Sequence, residues 1–251
     1  MEDNWEVYFC KVDDTPACIR INLGLAPLAP VQTLPFFAYV TITINNPDPN
    51  GFVSPEEFEH ITTLENTLVT ALTQNGAATF AGCCTADGNR DFIFFVQSNE
   101  NWDEKVDAAL AQFIDYSYET SIYEDPAWNG YFEFLYPSDE DMQIIENRKQ
   151  LEEMQQEGDN LDAPRMIDHC FNVYSQDDVE ALVAKTAALG FAVESVLQPQ
   201  DGTATDDAGA TLVTVRRVNT PNEMNTVTLT LVELAADCDA DYIGWGGPLA
   251  E

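Results

Sequence analysis

The sequence predicts an α+β protein of two domains. Three observations carry this. Residues 5–11 and 17–25 alternate apolar and polar side chains with period two, the mark of half-buried strands. Residues 137–162 turn polar, charged and helix-prone, which breaks the chain into two parts. The last 90 or so residues run strand–helix–strand–strand–helix–strand, a split βαβ order. The expected boundaries are 1–138, a connecting helix over 139–163, and 164–251.

The first strand reads W-x-V-x-F from Trp5. The second, ACIRINLGL, sets Ile19, Ile21, Leu23 and Leu25 on one face and Arg20 and Asn22 on the other. FFAYVTITI at 36–44 is more continuously apolar, as a central strand is, and the turn residues NNPDPNG end it. A helix follows, with Ser54 as cap, Pro55 at its first position and Glu57 at capping-box spacing. Phe58, Ile61, Leu64, Leu68 and Leu72 give it one apolar face. Two strands, 78–85 and 91–97, flank the turn 86–90. A second helix near 101–113, a strand near 117–123 and an aromatic stretch over 128–136 close the domain. The expectation is an antiparallel sheet with two helices on one face.

The connecting helix spans about 17 residues and ends at Gly158. In the C-terminal domain, a strand over 165–174 leads to Ser175, a helix cap followed by Asp177 and Asp178 in the first turn. Val179, Leu182, Val183 and Leu189 face the core. A strand over 191–197, a polar hairpin loop over 198–209 and a return strand over 210–218 come next. Residues 227–231, VTLTL, alternate like a strand. Thr220, Pro221 and Glu223 nevertheless spell a helix start, and Leu231, Leu234 and Ala235 continue at helical spacing, so a helix is expected. A short strand over 240–243 completes a ferredoxin-like sheet.

Charge is the chain's most unusual property. Its 251 residues hold 44 acidic and 10 basic side chains, a net of −34. Residues 1–138 carry 21 acidic and 4 basic residues, and 139–251 carry 23 and 6, so each part is at −17. No tail concentrates the acid. Hydrophobic residues at 45% are enough to fill cores, so the charge lies on surfaces. It reads as a solvated or salt-adapted surface, or as a surface that attracts basic protein segments. Direct nucleic-acid binding is disfavoured, because it needs clustered Lys and Arg, and the best basic cluster is the pair Arg216–Arg217.

The start, MEDNWEVYF, lacks the features of a signal peptide, and no apolar run is long enough to span a bilayer. The six cysteines are therefore expected to be reduced, in a cytoplasmic protein with no membrane contact. No zinc or CxxC spacing occurs, and no pattern implies a metal or cofactor. Cys83 and Cys84 read as part of a buried strand. Asp87, Asn89 and Asp91 open like a calcium loop, but Phe92 stands where glycine is required and Ser98 where glutamate is, so a hairpin turn is expected. His169 and Cys170 are strand neighbours and point to opposite faces, which argues against a thiol–base pair. Cys170 is expected in the core, with His169 exposed or hydrogen-bonded. His60 reads as solvated. Trp245, among glycines, is expected to cover the sheet edge, ahead of serving as an exposed interface anchor.

Four features of the C-terminal part are specific: the helix end at Gly158-Asp159, PRMIDHCF at 164–171, LGFAV at 189–193, and LAADCDADYIGWGGP at 234–248. In these, the chain resembles the regulator of ribonuclease E activity B family over about residues 140–251. Family members tend to carry Tyr-Asp-Gly-Trp-Gly. Here it is Tyr242-Ile243-Gly244-Trp245-Gly246, so any site built on that aspartate is altered. The resemblance implies a ferredoxin-like fold, no catalysis and inhibition of the endoribonuclease E by protein binding. It places partner contacts at Asp168, His169, Tyr242, Gly244, Trp245 and Gly246. The first 138 residues are similar to a domain of unknown function sometimes found beside this one, in the strand at Trp5, the Pro16-Ala17 entry, the Pro49-Asn50-Gly51 turn and the strand around residues 90–96.

The expected function is a non-enzymatic regulator of a protein partner, either ribonuclease E or its basic segments. The alternative is a small-molecule-binding or enzymatic N-terminal domain served by the C-terminal one. That alternative requires a pocket with convergent polar groups within residues 1–138.

Overall fold

The computed structural model describes residues 3–198 and 209–250, so the expected hairpin loop over 198–209 lies almost wholly outside the described residues. The chain divides into two units, Met1–Pro137 and Ser138–Glu251.

The first unit is built on one antiparallel sheet. Its strands are β1 (Trp5–Val12), β2 (Thr15–Asn22), β3 (Phe36–Thr43), β4 (Ala78–Ala86), β5 (Asn89–Val96) and β6 (Tyr118–Glu124), in the order β1-β2-β4-β5-β3-β6. Strand alternation sends Ala38, Val40, Ile42, Phe92 and Phe94 to one face. There they meet Ile61, Leu64 and Leu68 of α1 (Phe58–Thr73) and Trp102 and Val106 of α2 (Trp102–Leu110). Both expected helices thus share one core cluster. The aromatic stretch forms a π-helical segment, Gly130–Leu135, and contributes Trp128, Tyr131 and Leu135, all fully buried. Trp128 stacks on Phe95 at 3.8 Å and 11°, so β5 is buried on both faces. Cys83 and Cys84 are buried in β4. Asp87 and Gly88, at φ 48° and 73°, make the tight turn between β4 and β5.

Two local expectations are corrected here. The second strand stops at Asn22, whose side chain accepts the Gly24 N–H and starts a short 3-10 turn at Leu23–Leu25. Leu23 therefore does not continue the strand. Ser54 does not cap α1, and its hydroxyl is buried without a hydrogen-bond partner among the described residues. Glu57 turns away from the helix and accepts the backbone N–H groups of Asn45 and Asn46 at 2.9 and 2.6 Å, so it staples the preceding turn instead.

The second unit contains α3 (Asp139–Gln156), β7 (Arg165–Val173), α4 (Gln176–Ala188), β8 (Ala192–Leu197), β9 (Thr211–Asn219), α5 (Met224–Ala236) and β10 (Ala240–Gly246). Its antiparallel sheet runs β10-β7-β9-β8, the ferredoxin-like order. The helix starts are as expected. Ser175 accepts the Asp178 N–H, and the Glu223 carboxylate accepts the Thr220 N–H at 2.9 Å before α5. The alternating VTLTL segment is helical because Val227, Thr228, Leu231, Leu234 and Ala235 fall on one helical face, and that face is buried. The helix read as a connector belongs to this unit: Met154 lies in the core with Ile167, Phe171, Val213 and Leu231.

Candidate partner-binding surface of the C-terminal unit

Period-two alternation fixes β7. Arg165, Ile167, His169, Phe171 and Val173 are buried, while Asp168, Cys170 and Asn172 face the other way. This corrects the expected core position of Cys170 and, for His169, leaves the hydrogen-bonded reading and removes the exposed one. His169 is fully buried and Cys170 is half-buried on the opposite face. The reason was present in the sequence: His169 shares parity with Ile167, Phe171 and Val173. Its Nδ1 meets the Tyr242 hydroxyl at 2.8 Å, its ring sits edge-on to Phe191, and its Nε2 has no hydrogen-bond partner among the described residues. Burial, with the nearby Arg217 charge, pulls its pKa down to about 4, so the imidazole is neutral at pH 7. Burial likewise raises the Tyr242 hydroxyl far above its ordinary value.

Asp168 stands on the outer face. It holds Arg216 of β9 through two contacts of 2.9 and 3.1 Å, and Arg216 reaches Glu194 of β8 at 2.7 Å. These charges satisfy one another across three strands. Of the six residues expected to contact a partner, Asp168 alone places a charged group on that open face.

On β10, a bulge between Tyr242 and Gly244 shifts the register against β7 and leaves Ile243 53% exposed. Gly244 takes φ +151° there, and Gly246 lies opposite Asp168. Trp245 is 8% exposed and sits in the core, as the first of its two readings expected. Its indole N–H donates to Asn147 Oδ1 at 2.8 Å. Asn147, fully buried on α3, also accepts from Gln143 and donates to Asn225 and Thr228 of α5. This buried polar junction ties α3, α5 and β10 together, and the sequence reading missed it. Its only sequence signal was an asparagine within a charged helix, one polar residue among many.

Alongside β10, two hollows of about 540 and 440 Å³ share Gln143, Glu146 and Ile243 and form one trough against α3. Met142, Val232 and Ala236 add apolar surface, while Asp139, Glu153, Asp239 and Asp241 add carboxylates. At the other end of α3, the buried Asp159–Arg165 pair, 2.7 Å apart, clamps the chain end. Asp159 accepts the Ala250 N–H, and Arg165 donates to the Pro248 carbonyl. Burial opposes ionisation of Asp159, but these hydrogen bonds outweigh it and hold its carboxyl below the ordinary range.

The N-terminal unit has a cleft of about 430 Å³, lined by Asn45, Glu56, Glu57, His60, Asp115 and Tyr116 among others. Tyr116 is hydrogen-bonded to Glu57, and burial together with that carboxylate raises its pKa to about 12. Glu57 is thus already held by three donors.

A family model described as a family of unknown function, DUF695, matches residues 3–136, more than half of the chain. The chain belongs to this family. The C-terminal unit of this DUF695 protein matches a second model, regulator of ribonuclease activity B (RraB), over residues 144–247. The RraB match runs from within α3 through Trp245 and so takes in the whole second sheet, the polar junction and most of the trough. It supports a regulatory role in ribonuclease activity. No curated protein matches. A crystal structure of an unknown protein from Galdieria sulphuraria is similar at 12% identity over 83% of this chain and 96% of its own, with a TM-score of 0.23, too low to carry an argument about fold. Among the described residues, no helix is long and apolar enough to cross a membrane.

Proposed function

We propose that this DUF695 protein is a non-enzymatic cytoplasmic regulator that binds a ribonuclease E-type endoribonuclease through its C-terminal unit and lowers its activity. The RraB match over residues 144–247 carries this reading. The charge supports it: a chain at −34 repels RNA and attracts basic protein segments. Asp168, Tyr242, Gly244 and Gly246 remain the proposed contact region. His169 and Trp245 now act from beneath it, as buried supports that shape β7 and β10.

The experiment titrates the full chain into ribonuclease E from the same cell, following capture and RNA cleavage at several salt concentrations. The expected outcome is salt-sensitive binding with slower cleavage. Absence of binding at low salt would remove the reading. The small-molecule alternative has one observation in its favour, the cleft beside Glu57 and Tyr116. Its buried carboxylate is already consumed by backbone and tyrosine donors, which ranks it second.

A further inference from the structure

The trough beside β10 combines carboxylates with an apolar floor. Ile243 is pushed out by the β10 bulge and projects where the two hollows meet. Met142 of α3 and Val232 and Ala236 of α5 extend the apolar surface. The lining carboxylates are Asp139, Glu146, Glu153, Asp239 and Asp241, against a single lining cation, Lys149, which bonds to Glu146 at 3.0 Å. Beneath the floor, Asn147 and Trp245 lock α3, α5 and β10 together, so the trough is preformed. A preformed groove binds without the ordering cost that a flexible one must meet.

We infer that this trough is the docking site for a basic peptide segment of a protein partner, one that presents Arg or Lys to the carboxylates and an apolar side chain to Ile243. The inference rests on the regulator reading and names the place and the chemistry of the contact. Charge decides the occupant. A second copy brings −17 from its own C-terminal half against the same sign, and nucleic acid brings phosphates; both are repelled. A purely basic strand leaves the apolar floor uncovered, and a purely apolar one leaves the carboxylates unmatched.

The test uses the full chain and a labelled synthetic peptide alternating arginine and leucine, followed by fluorescence anisotropy. Exchanging every leucine for glycine, or every arginine for glutamate, is expected to weaken binding at least about tenfold. The double variant Glu146→Lys/Glu153→Lys and the single variant Ile243→Asp are each expected to weaken the arginine–leucine peptide by about tenfold or more. The control Asp177→Lys/Glu180→Lys on α4, with the same change of charge, is expected to shift binding less than about twofold. Circular dichroism checks that each variant is folded.

Equal losses from the trough and α4 reversals would overturn the inference in favour of unspecific attraction. So would a wild-type chain that ignores the peptide, or one whose self-association depends on Ile243. The two readings also fail separately. Ribonuclease capture that survives the trough variants removes the trough and leaves the regulator. Peptide binding without ribonuclease capture does the opposite.

Discussion

In the N-terminal unit both faces of the sheet are covered. Helices α1 and α2 pack on one, and the segment carrying Trp128 and Tyr131 packs on the other. Its central ion cluster is largely enclosed: Glu65 of α1 lies between Arg20 of β2 and Arg90 of β5, which also sit over the rings of Trp5 and Phe92. In the C-terminal unit the helices share one core with one face of the sheet, while Met166, Leu197 and Val218 are exposed and Asp168, Arg216 and Glu194 pair in the open. The same acidity thus does two things. The first unit uses its few cations to hold a body shut. The second leaves charge and apolar surface side by side where a partner can reach them.

The sharpest way to break this comparison is Glu65→Ala. It leaves Arg20 and Arg90 without their shared carboxylate, and loss of one member of a buried ion cluster costs about 3–5 kcal/mol. Arg20 is one-third exposed, and water can rescue part of its charge, which points to about 3 kcal/mol. Urea unfolding with hydrogen exchange should place the loss in residues 1–137, with the second unit unchanged. An effect under about 1 kcal/mol would mean that the cluster is no more than a surface pair.

Most of the architecture was legible because it rests on periodicity. The split βαβ order, the α5 capping box and the two helices over one sheet all followed from spacing. What stayed hidden depended on distant partners. Ser54 and Glu57 stand at capping-box spacing, yet the Asn45 and Asn46 N–H groups won the carboxylate. The role of the aromatic stretch at 128–136 could not be read, because its partner Phe95 is 33 residues away in sequence. At the candidate surface, the Gly-Trp-Gly segment was recognisable, but the trough is formed by three elements, and no single stretch encodes it.

His169 tests the buried side of that surface. Its folded pKa of about 4 lies below the ordinary 6.5, so the unfolded chain binds the extra proton first. Its protonation therefore leaves stability unchanged above pH 6.5 and destabilises the fold progressively as pH falls from 6.5 to 4, by up to about 3 kcal/mol. Tyr242 stays protonated throughout, so the window is set first by burial and then by the Arg217 charge, with Asp168 opposing both. His169→Gln should lose that component while sharing the wild type's response from its many carboxylates. Parallel stability–pH curves for the two proteins between pH 4 and 6.5 would show that the imidazole is accessible to water, contrary to its placement on the core face of β7.

The smallest effect sharpens the comparison most, because it asks whether the trough has a built floor. Asn147→Ala removes the acceptor of the Trp245 indole N–H and the donor to Asn225 and Thr228. Buried groups left unpaired this way cost about 2 kcal/mol. Adding Trp245→Phe to that background deletes the orphaned N–H, so the double variant should be less destabilised than the sum of the singles, by about 1 kcal/mol. The same pair should weaken peptide binding in the trough even though neither side chain carries charge. Strict additivity would mean that Asn147 and Trp245 stabilise the unit independently, and that Ile243 and the carboxylates owe their positions to the backbone of β10 and α3 alone.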